Sequence, residues 1–231
     1  MVARPTNGRE AKHEPSKRRE YNAPPTFRPS TYPMSHIHKV ATLNINGLAT
    51  PTRPGMLEDF LRKQEIDLAF LQEVTHTHTH THTHLDTIQG YTAHMNVGTE
   101  RRGTAILAKE GITLTNVKRL PSGTGIATMY EGLWLVNVYA PSWTARRQDR
   151  ETFYNSDLPY LLPYSRTDMI LAGDFNCVLA DSDSTGRRNY SRALASVVHG
   201  FNLTDAWEAT PPRKVYTHYT PTGALELTKY M

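Results

Sequence analysis

From Lys39 onward, short apolar runs of five to eight residues are separated by turn residues, the pattern of a sheet-rich domain. Lys39–Ile45 and the more apolar Asp67–Val74 read as strands. Between them, Met56, Leu57, Phe60 and Leu61 recur at helical spacing after Pro54. The spacing predicts a helix over Gly55–Ile66 with proline near its start. Further strands are predicted at Gly103–Ala108, Ile112–Leu120, Gly125–Tyr130, Leu133–Tyr139, Asp168–Ala172 and, short, Lys214–Tyr219. Ala145–Leu162 and Ser191–His199 read as helices, with Pro159 near the end of the first. Strands outnumber helices and several follow one another directly. Strict alternation of strand and helix is therefore not expected; large mixed sheets packed under helices are.

Residues 1–36 lack this texture. They are rich in Pro, Arg, Lys, Ser and Thr and poor in aliphatics, so they bury too little apolar surface to offset ordering entropy. A disordered basic tail is expected, with Lys17-Arg18-Arg19 either a nuclear-import or phosphate-contacting cluster or simply solvated charge. Residues 1–39 carry eight Lys/Arg against three Asp/Glu, whereas the remainder carries 18 against 19. The net charge of +4 therefore belongs to the tail and says little about nucleic-acid binding by the folded part. No apolar run approaches the roughly 18 residues that cross a bilayer, and the N-terminus lacks a secretory apolar stretch. The single cysteine, Cys177, fits a reducing compartment. Thr75–His84 is a low-complexity insert of five Thr-His dipeptides. As an extended strand it would align five imidazoles on one face, a tag-like metal binder. A CA dinucleotide repeat in the DNA encodes the same peptide, so slippage inside a loop accounts for it without function.

Four strand ends deliver polar residues. Leu43-Asn44-Ile45-Asn46-Gly47-Leu48 ends a strand in two amides and a glycine, as an Asx-type turn also would. Leu68-Ala69-Phe70-Leu71-Gln72-Glu73 ends a buried run in a carboxylate, either solvated or a ligand for Mg²⁺, which takes hard oxygens and often only one or two carboxylates. Asn137-Val138-Tyr139-Ala140-Pro141-Ser142 brings a tyrosine to a strand end. It is there either for strand propensity or as a phenol donor to a phosphate oxygen. Met169-Ile170-Leu171-Ala172 feeds Gly173-Asp174-Phe175-Asn176, turn chemistry or an Asp and an Asn aimed at one pocket. Ligands of open α/β sheets sit beyond strand ends, so the four ends are candidates for a single site.

In order and spacing, over about residues 38–224, these segments resemble the endonuclease/exonuclease/phosphatase superfamily. Arg102-Gly103-Thr104-Ala105-Ile106-Leu107, Gly90-Tyr91 and Leu203-Thr204-Asp205-Ala206-Trp207 share in the resemblance. The likeness is nearest to the apurinic-endonuclease-like domain of non-LTR retrotransposons. It implies an α/β fold of α+β type: a four-layer sandwich of two mixed β-sheets flanked by helices. It also implies a Mg²⁺ cofactor, replaceable by Mn²⁺, with Glu73 and Asn44 on the metal. Tyr139 then contacts phosphate, Asp174 orients or deprotonates the attacking water, and Asn176 holds phosphate and water. Asn46 and Thr217, in Tyr216-Thr217-His218-Tyr219, take substrate-contacting positions. The implied reaction nicks DNA to leave a 3′-hydroxyl that primes reverse transcription. DNA is then the partner, with the reverse transcriptase region of the same element and a nuclear location. A phosphatase of the same superfamily, or a non-catalytic nucleic-acid or metal binder, is the alternative.

The superfamily pattern continues with Ser-Arg-Ile/Leu-Asp-Arg-Ile and then Ser-Asp-His. Here Thr220-Pro221-Thr222-Gly223-Ala224 is followed by Leu225-Glu226-Leu227-Thr228-Lys229-Tyr230-Met231. The expectation is a frameshift, deletion or mis-spliced end after Ala224, leaving 225–231 outside the family pattern. The last strands, the late Asp and the Asp-His pair would then be absent, and nicking by this chain weak or nil.

Overall fold

The computed structural model describes residues 37, 39–48, 52–74, 84–98, 103–142, 147–164, 167–179 and 190–206. All of them fall within one compact unit, Tyr32–Met231. The tail, the Thr-His tract up to Thr83, Arg102, Trp207, Lys214–Tyr219 with Thr217, and everything beyond lie outside the described residues.

Eight strands form two four-stranded sheets. Sheet 1 holds β1 (Val40–Asn44), β2 (Leu68–Gln72), β3 (Tyr91–Val97) and β4 (Gly103–Lys109) in the order β1-β2-β4-β3. Sheet 2 holds β5 (Thr115–Arg119), β6 (Gly125–Tyr130), β7 (Leu133–Tyr139) and β8 (Met169–Asp174) in that order. Both are mixed. β1 runs parallel to β2 and β7 parallel to β8, and every other pairing is antiparallel. Helix α1 (Thr52–Lys63) joins β1 to β2, as a parallel pair requires. α2 (Arg147–Thr152), a π-helical turn (Phe153–Asp157) and α3 (Leu158–Leu161) join β7 to β8, and α4 (Arg192–Gly200) follows.

Alternation along the strands assigns the layers. Leu68, Phe70, Ile106, Ile126, Leu133, Leu135 and Ala172 pack together between the sheets. Ala69, Leu71, Ala105 and Leu107 turn the other way and pack with Leu57 and Leu61 of α1. Trp134, Val136 and Val138 pack with Phe153, Tyr154, Leu158, Leu161 and Leu194 of the second helical layer. The four-layer sandwich of two mixed sheets between helices is thus the observed architecture. Among the described residues, no helix is long and apolar enough to cross a membrane.

Several polar side chains cross between the sheets. The buried Asn96 amide donates to Leu120 O and Gly125 O at 2.7 and 2.8 Å, and Thr104 Oγ1 donates to Gly123 O at 3.2 Å. Gln72 Nε2 donates to Asn137 Oδ1 at 2.8 Å.

Three local expectations shift. α1 begins at Thr52, so Pro54 sits inside its first turn, where a missing N–H leaves no hydrogen bond unmade. Only Leu57 and Leu61, one turn apart, are buried, and Met56 is 68% exposed. The helix expected over Ala145–Leu162 is not uniform: a π turn precedes Pro159, whose missing N–H cannot close the ordinary α-helical bond. β3, with an irregular mixture of exposed and half-buried positions, was not predicted; the polar His94 and Asn96 interrupt its apolar pattern. Helix α4 begins where Ser191 marks it: Ser191 Oγ accepts from Leu194 N at 3.1 Å, an N-cap.

Candidate active site

The two parallel pairs end side by side, and their C-terminal ends supply the polar residues. On β1, Thr42 and Asn44 alternate with Leu43, which faces α1, so Asn44 points toward sheet 2. On β7, Leu135, Asn137 and Tyr139 share the face toward sheet 1. On β8, Ile170, Ala172 and Asp174 do the same from the neighbouring strand.

Glu73 is different. It follows Gln72 on β2, so alternation would turn it toward α1. Its backbone has φ +55°, a left-handed conformation that Glu rarely adopts. The carboxylate instead meets Tyr139, whose hydroxyl donates to Glu73 Oε1 at 3.0 Å. Backbone strain of this kind costs about 1–3 kcal/mol and persists only where surrounding structure enforces it. Asn46 and Asn176 also sit at positive φ, +45° and +49°, which Asn tolerates more readily.

The side chains form one connected cluster. Asn44 Nδ2 donates to Glu73 Oε1 at 3.0 Å and to Asp174 Oδ2 at 2.9 Å, joining a carboxylate from each sheet. Asn44 Oδ1 accepts from Asn46 N at 3.0 Å. Asp174 Oδ1 accepts from Asn176 N at 3.1 Å, and Asn176 Nδ2 donates to Ala140 O at 2.9 Å. Tyr139 and Asp174 are buried, Glu73 and Asn176 half-buried, and Asn44 and Asn46 exposed. The structure therefore brings Asn44, Glu73, Tyr139, Asp174 and Asn176 together. Asn46 joins through its backbone N–H, and Thr217 lies outside the described residues.

Gly173 explains why the Asp174 turn begins with glycine. Its φ is +142°, and a Cβ there would fall 2.0 Å from Val138 O on β7. Two supporting residues were not singled out from sequence. Arg53, in the first turn of α1, donates through Nη1 to Gly47 O at 2.8 Å and to Asn46 O, gripping the loop after Asn44. Tyr154, fully buried on the π turn, donates its hydroxyl to Phe175 O, between Asp174 and Asn176. Burial pushes its phenol well above the ordinary value. Cys177 Sγ lies 3.3 Å from the same hydroxyl, and burial raises its thiol to about 11. An Arg in a first helical turn and a Tyr in a helix carry no local signal for such roles.

The donor set has the chemistry of a hard-cation site. Glu73 supplies carboxylate oxygens, and a Mg²⁺ site uses one or two carboxylates with water and substrate oxygens for the rest. Asn44 presents its amide nitrogen to Glu73 and to Asp174, fixing the two carboxylates relative to one another. Among the described residues, no group of three or more His, Cys, Asp or Glu side chains converges.

A family model described as "Endonuclease/Exonuclease/phosphatase family" matches residues 41–227. Solved structures share the fold. An AP endonuclease from Archaeoglobus fulgidus superposes with a TM-score of 0.60 at 18% identity, covering 79% of this chain and 78% of that one. The 3′-5′ exonuclease NExo from Neisseria meningitidis gives 0.60 at 19%, covering 81% of each. TDP2 from C. elegans gives 0.53 at 18%, over 77% of this chain and 55% of that one.

Proposed function

The chain belongs to the endonuclease/exonuclease/phosphatase family, and from that premise we propose that it is the DNA-nicking endonuclease domain of a non-LTR retrotransposon. The observation that carries the reading is the cluster of Asn44, Glu73, Tyr139 and Asp174, drawn from four strands of two sheets and joined by direct hydrogen bonds. The wording Leu43-Asn44-Ile45-Asn46-Gly47-Leu48 and Asn137-Val138-Tyr139-Ala140-Pro141-Ser142 supports the retrotransposon assignment. DNA as the partner is supported by the DNA hairpin bound to one protein of similar fold, a 3′ phosphatase NExo from Neisseria.

In this reading Glu73 holds Mg²⁺ or Mn²⁺, with Asn44 beside it. When bound, the cation supplies Lewis-acid polarisation and neutralises charge developing on phosphate. Tyr139 donates its phenolic hydrogen bond to a phosphate oxygen. Asp174, whose carboxylate is oriented by Asn44 and by the Asn176 N–H, accepts the proton of the attacking water. Asn176 presents its amide to phosphate and water. The strand ends fix where these side chains stand; Tyr139 must turn its one hydroxyl hydrogen from Glu73 to phosphate, while Asn176 keeps a second amide hydrogen beside the one on Ala140 O. The product is a 3′-hydroxyl for reverse transcription by the same element, in the nucleus.

The test is Mn²⁺ titration followed by electron paramagnetic resonance, with plasmid nicking alongside. Binding lost in Glu73→Gln, and any nicking lost in Asp174→Ala, is expected. Mn²⁺ binding that survives Glu73→Gln but vanishes on deleting Thr75–His84 would assign the metal to the Thr-His tract instead. A phosphatase of the same family is the second reading, favoured by the 3′ phosphatase among the similar folds. Release of phosphate from small phosphate esters without plasmid nicking would select it.

A further inference from the structure

We propose that the buried Gln72–Asn137 amide pair holds the two halves of the site in register, making both positioning residues for the metal- and phosphate-binding groups. The inference rests on the phosphodiesterase reading and goes beyond it. Glu73 and Asn44 ride on sheet 1, whereas Tyr139 and Asp174 ride on sheet 2. Their mutual hydrogen bonds are correct only if the sheets do not slide over one another. The packing between the sheets is mostly aliphatic and aromatic, and apolar contact is non-directional. It sets how close the sheets lie better than it sets their offset.

Gln72 and Asn137 supply direction at the right height. Both are essentially unexposed, at 1% and 0%. Asn137 Oδ1 accepts from Gln72 Nε2 at 2.8 Å. Asn137 Nδ2 reaches across to Leu71 O on β2 and Ala105 O on β4, each at 2.8 Å. Gln72 Nε2 also lies 3.1 Å from Thr42 Oγ1 on β1 and 3.0 Å from Phe70 O. The network thus stands one residue before Glu73 and two residues before Asn44 and Tyr139, on their own strands. Hydrogen bonds weaken steeply when misaligned, so an offset between the sheets would break several at once. Burying amides is costly against packing a pair of aliphatic side chains there. That cost is explained if the pair specifies alignment rather than adding stability.

The experiment compares the full 231-residue chain with Gln72→Met, Asn137→Leu and the double variant. It measures thermal unfolding, Mn²⁺ affinity, and the ¹³C resonance of the labelled Tyr139 ring without metal. Each single variant is expected to lower the melting temperature, because a buried amide loses its partner. The double variant should regain only the share due to the Gln72–Asn137 bond itself, because the Leu71, Ala105 and Phe70 carbonyls still lose their side-chain donors. Its Mn²⁺ affinity should nevertheless stay about 10- to 100-fold weaker, as for other groups that orient metal ligands. Its Tyr139 resonance should stay displaced. A double variant that restores affinity and resonance together with stability would overturn the proposal. So would single variants that lose stability alone. Gln72→Met, the near-isosteric change, carries the same two readouts if the double variant does not fold. Failure of the wild-type chain to bind Mn²⁺ would count against the phosphodiesterase reading, whereas the metal-free Tyr139 resonance still decides the alignment.

Discussion

The two sheets are built alike and finished differently. Each has a parallel pair whose C-terminal ends carry the candidate site, β1 with β2 and β7 with β8, and an antiparallel pair on its far side. The sheet 1 residues stand open: Asn44 is exposed and Glu73 half-buried on a strained backbone. The sheet 2 residues are enclosed: Tyr139 is 3% and Asp174 7% exposed, under a layer that sends Tyr154 into the Asp174 turn. An open carboxylate keeps coordination positions for a cation and substrate. An enclosed phenol and carboxylate have fixed direction, which suits hydrogen-bonding and proton transfer. The difference predicts that sheet 1 changes damage binding more than folding, and sheet 2 changes damage both.

The largest contrast is expected from Glu73→Gln. Mn²⁺ affinity should fall by at least about 100-fold, since loss of a ligand exceeds the loss of a group behind one. The melting temperature should barely move. A large drop in melting temperature would erase the contrast. On the other sheet, Gly173→Ala forces a Cβ against Val138 O and should cost about 3 kcal/mol in denaturant unfolding. A cost near zero would show that β7 and β8 can separate, and that the Asp174 turn is not enclosed as described.

Tyr154→Phe removes only the hydroxyl that binds Phe175 O, and should cost about 1 kcal/mol. If plasmid nicking is measurable, it should fall with stability, since the turn carries both Asp174 and Asn176. The complementary change, Glu73→Gly, relieves a left-handed backbone and should stabilise the fold by about 1 kcal/mol while abolishing Mn²⁺ binding. Destabilisation would mean that the carboxylate's bonds outweigh its strain.

The smallest effect is a pH dependence from sheet 1. Burial lowers the His94 pKa below its ordinary value, with Arg119 adding to the shift. The unfolded state then binds more protons than the folded state between the two pKa values. Stability is therefore complete above the unfolded value, near 6.5, and is lost as pH falls through the lowered one. His94→Gln should flatten that part of the stability–pH curve, and an unchanged curve would remove His94 from the account.

Much of this arrangement is legible along the chain. β6 and β7 fall on the residues expected of them, because short runs rich in β-branched and aromatic residues and bounded by glycine and turn residues favour strand over helix. The four strand ends, and the site residues upon them, follow from apolar runs that terminate in Asn, Glu, Tyr and Gly-Asp. β3 was not legible, because His94 and Asn96 break its apolar pattern. Asn96 looks like a surface residue until Leu120 O and Gly125 O are seen to accept its amide. The π turn was not legible either: Pro159 forbids one α-helical hydrogen bond, but its place in the sequence does not tell a π turn from a kink or a helix end.

The sequence by itself determined the strand ends, the family they belong to and the residue types available for chemistry. These depend on local propensity and hydrophobic period, which act over a few neighbours. Only the tertiary structure decided that Asn44 offers its amide nitrogen to a carboxylate from each sheet. Only it turned Glu73 inward against the strand's alternation, and only it paired Gln72 with Asn137 across the core. Each of these is a hydrogen bond or backbone constraint between residues 29 to 130 positions apart. Such a bond forms only after both sheets exist, so no window of the sequence contains it.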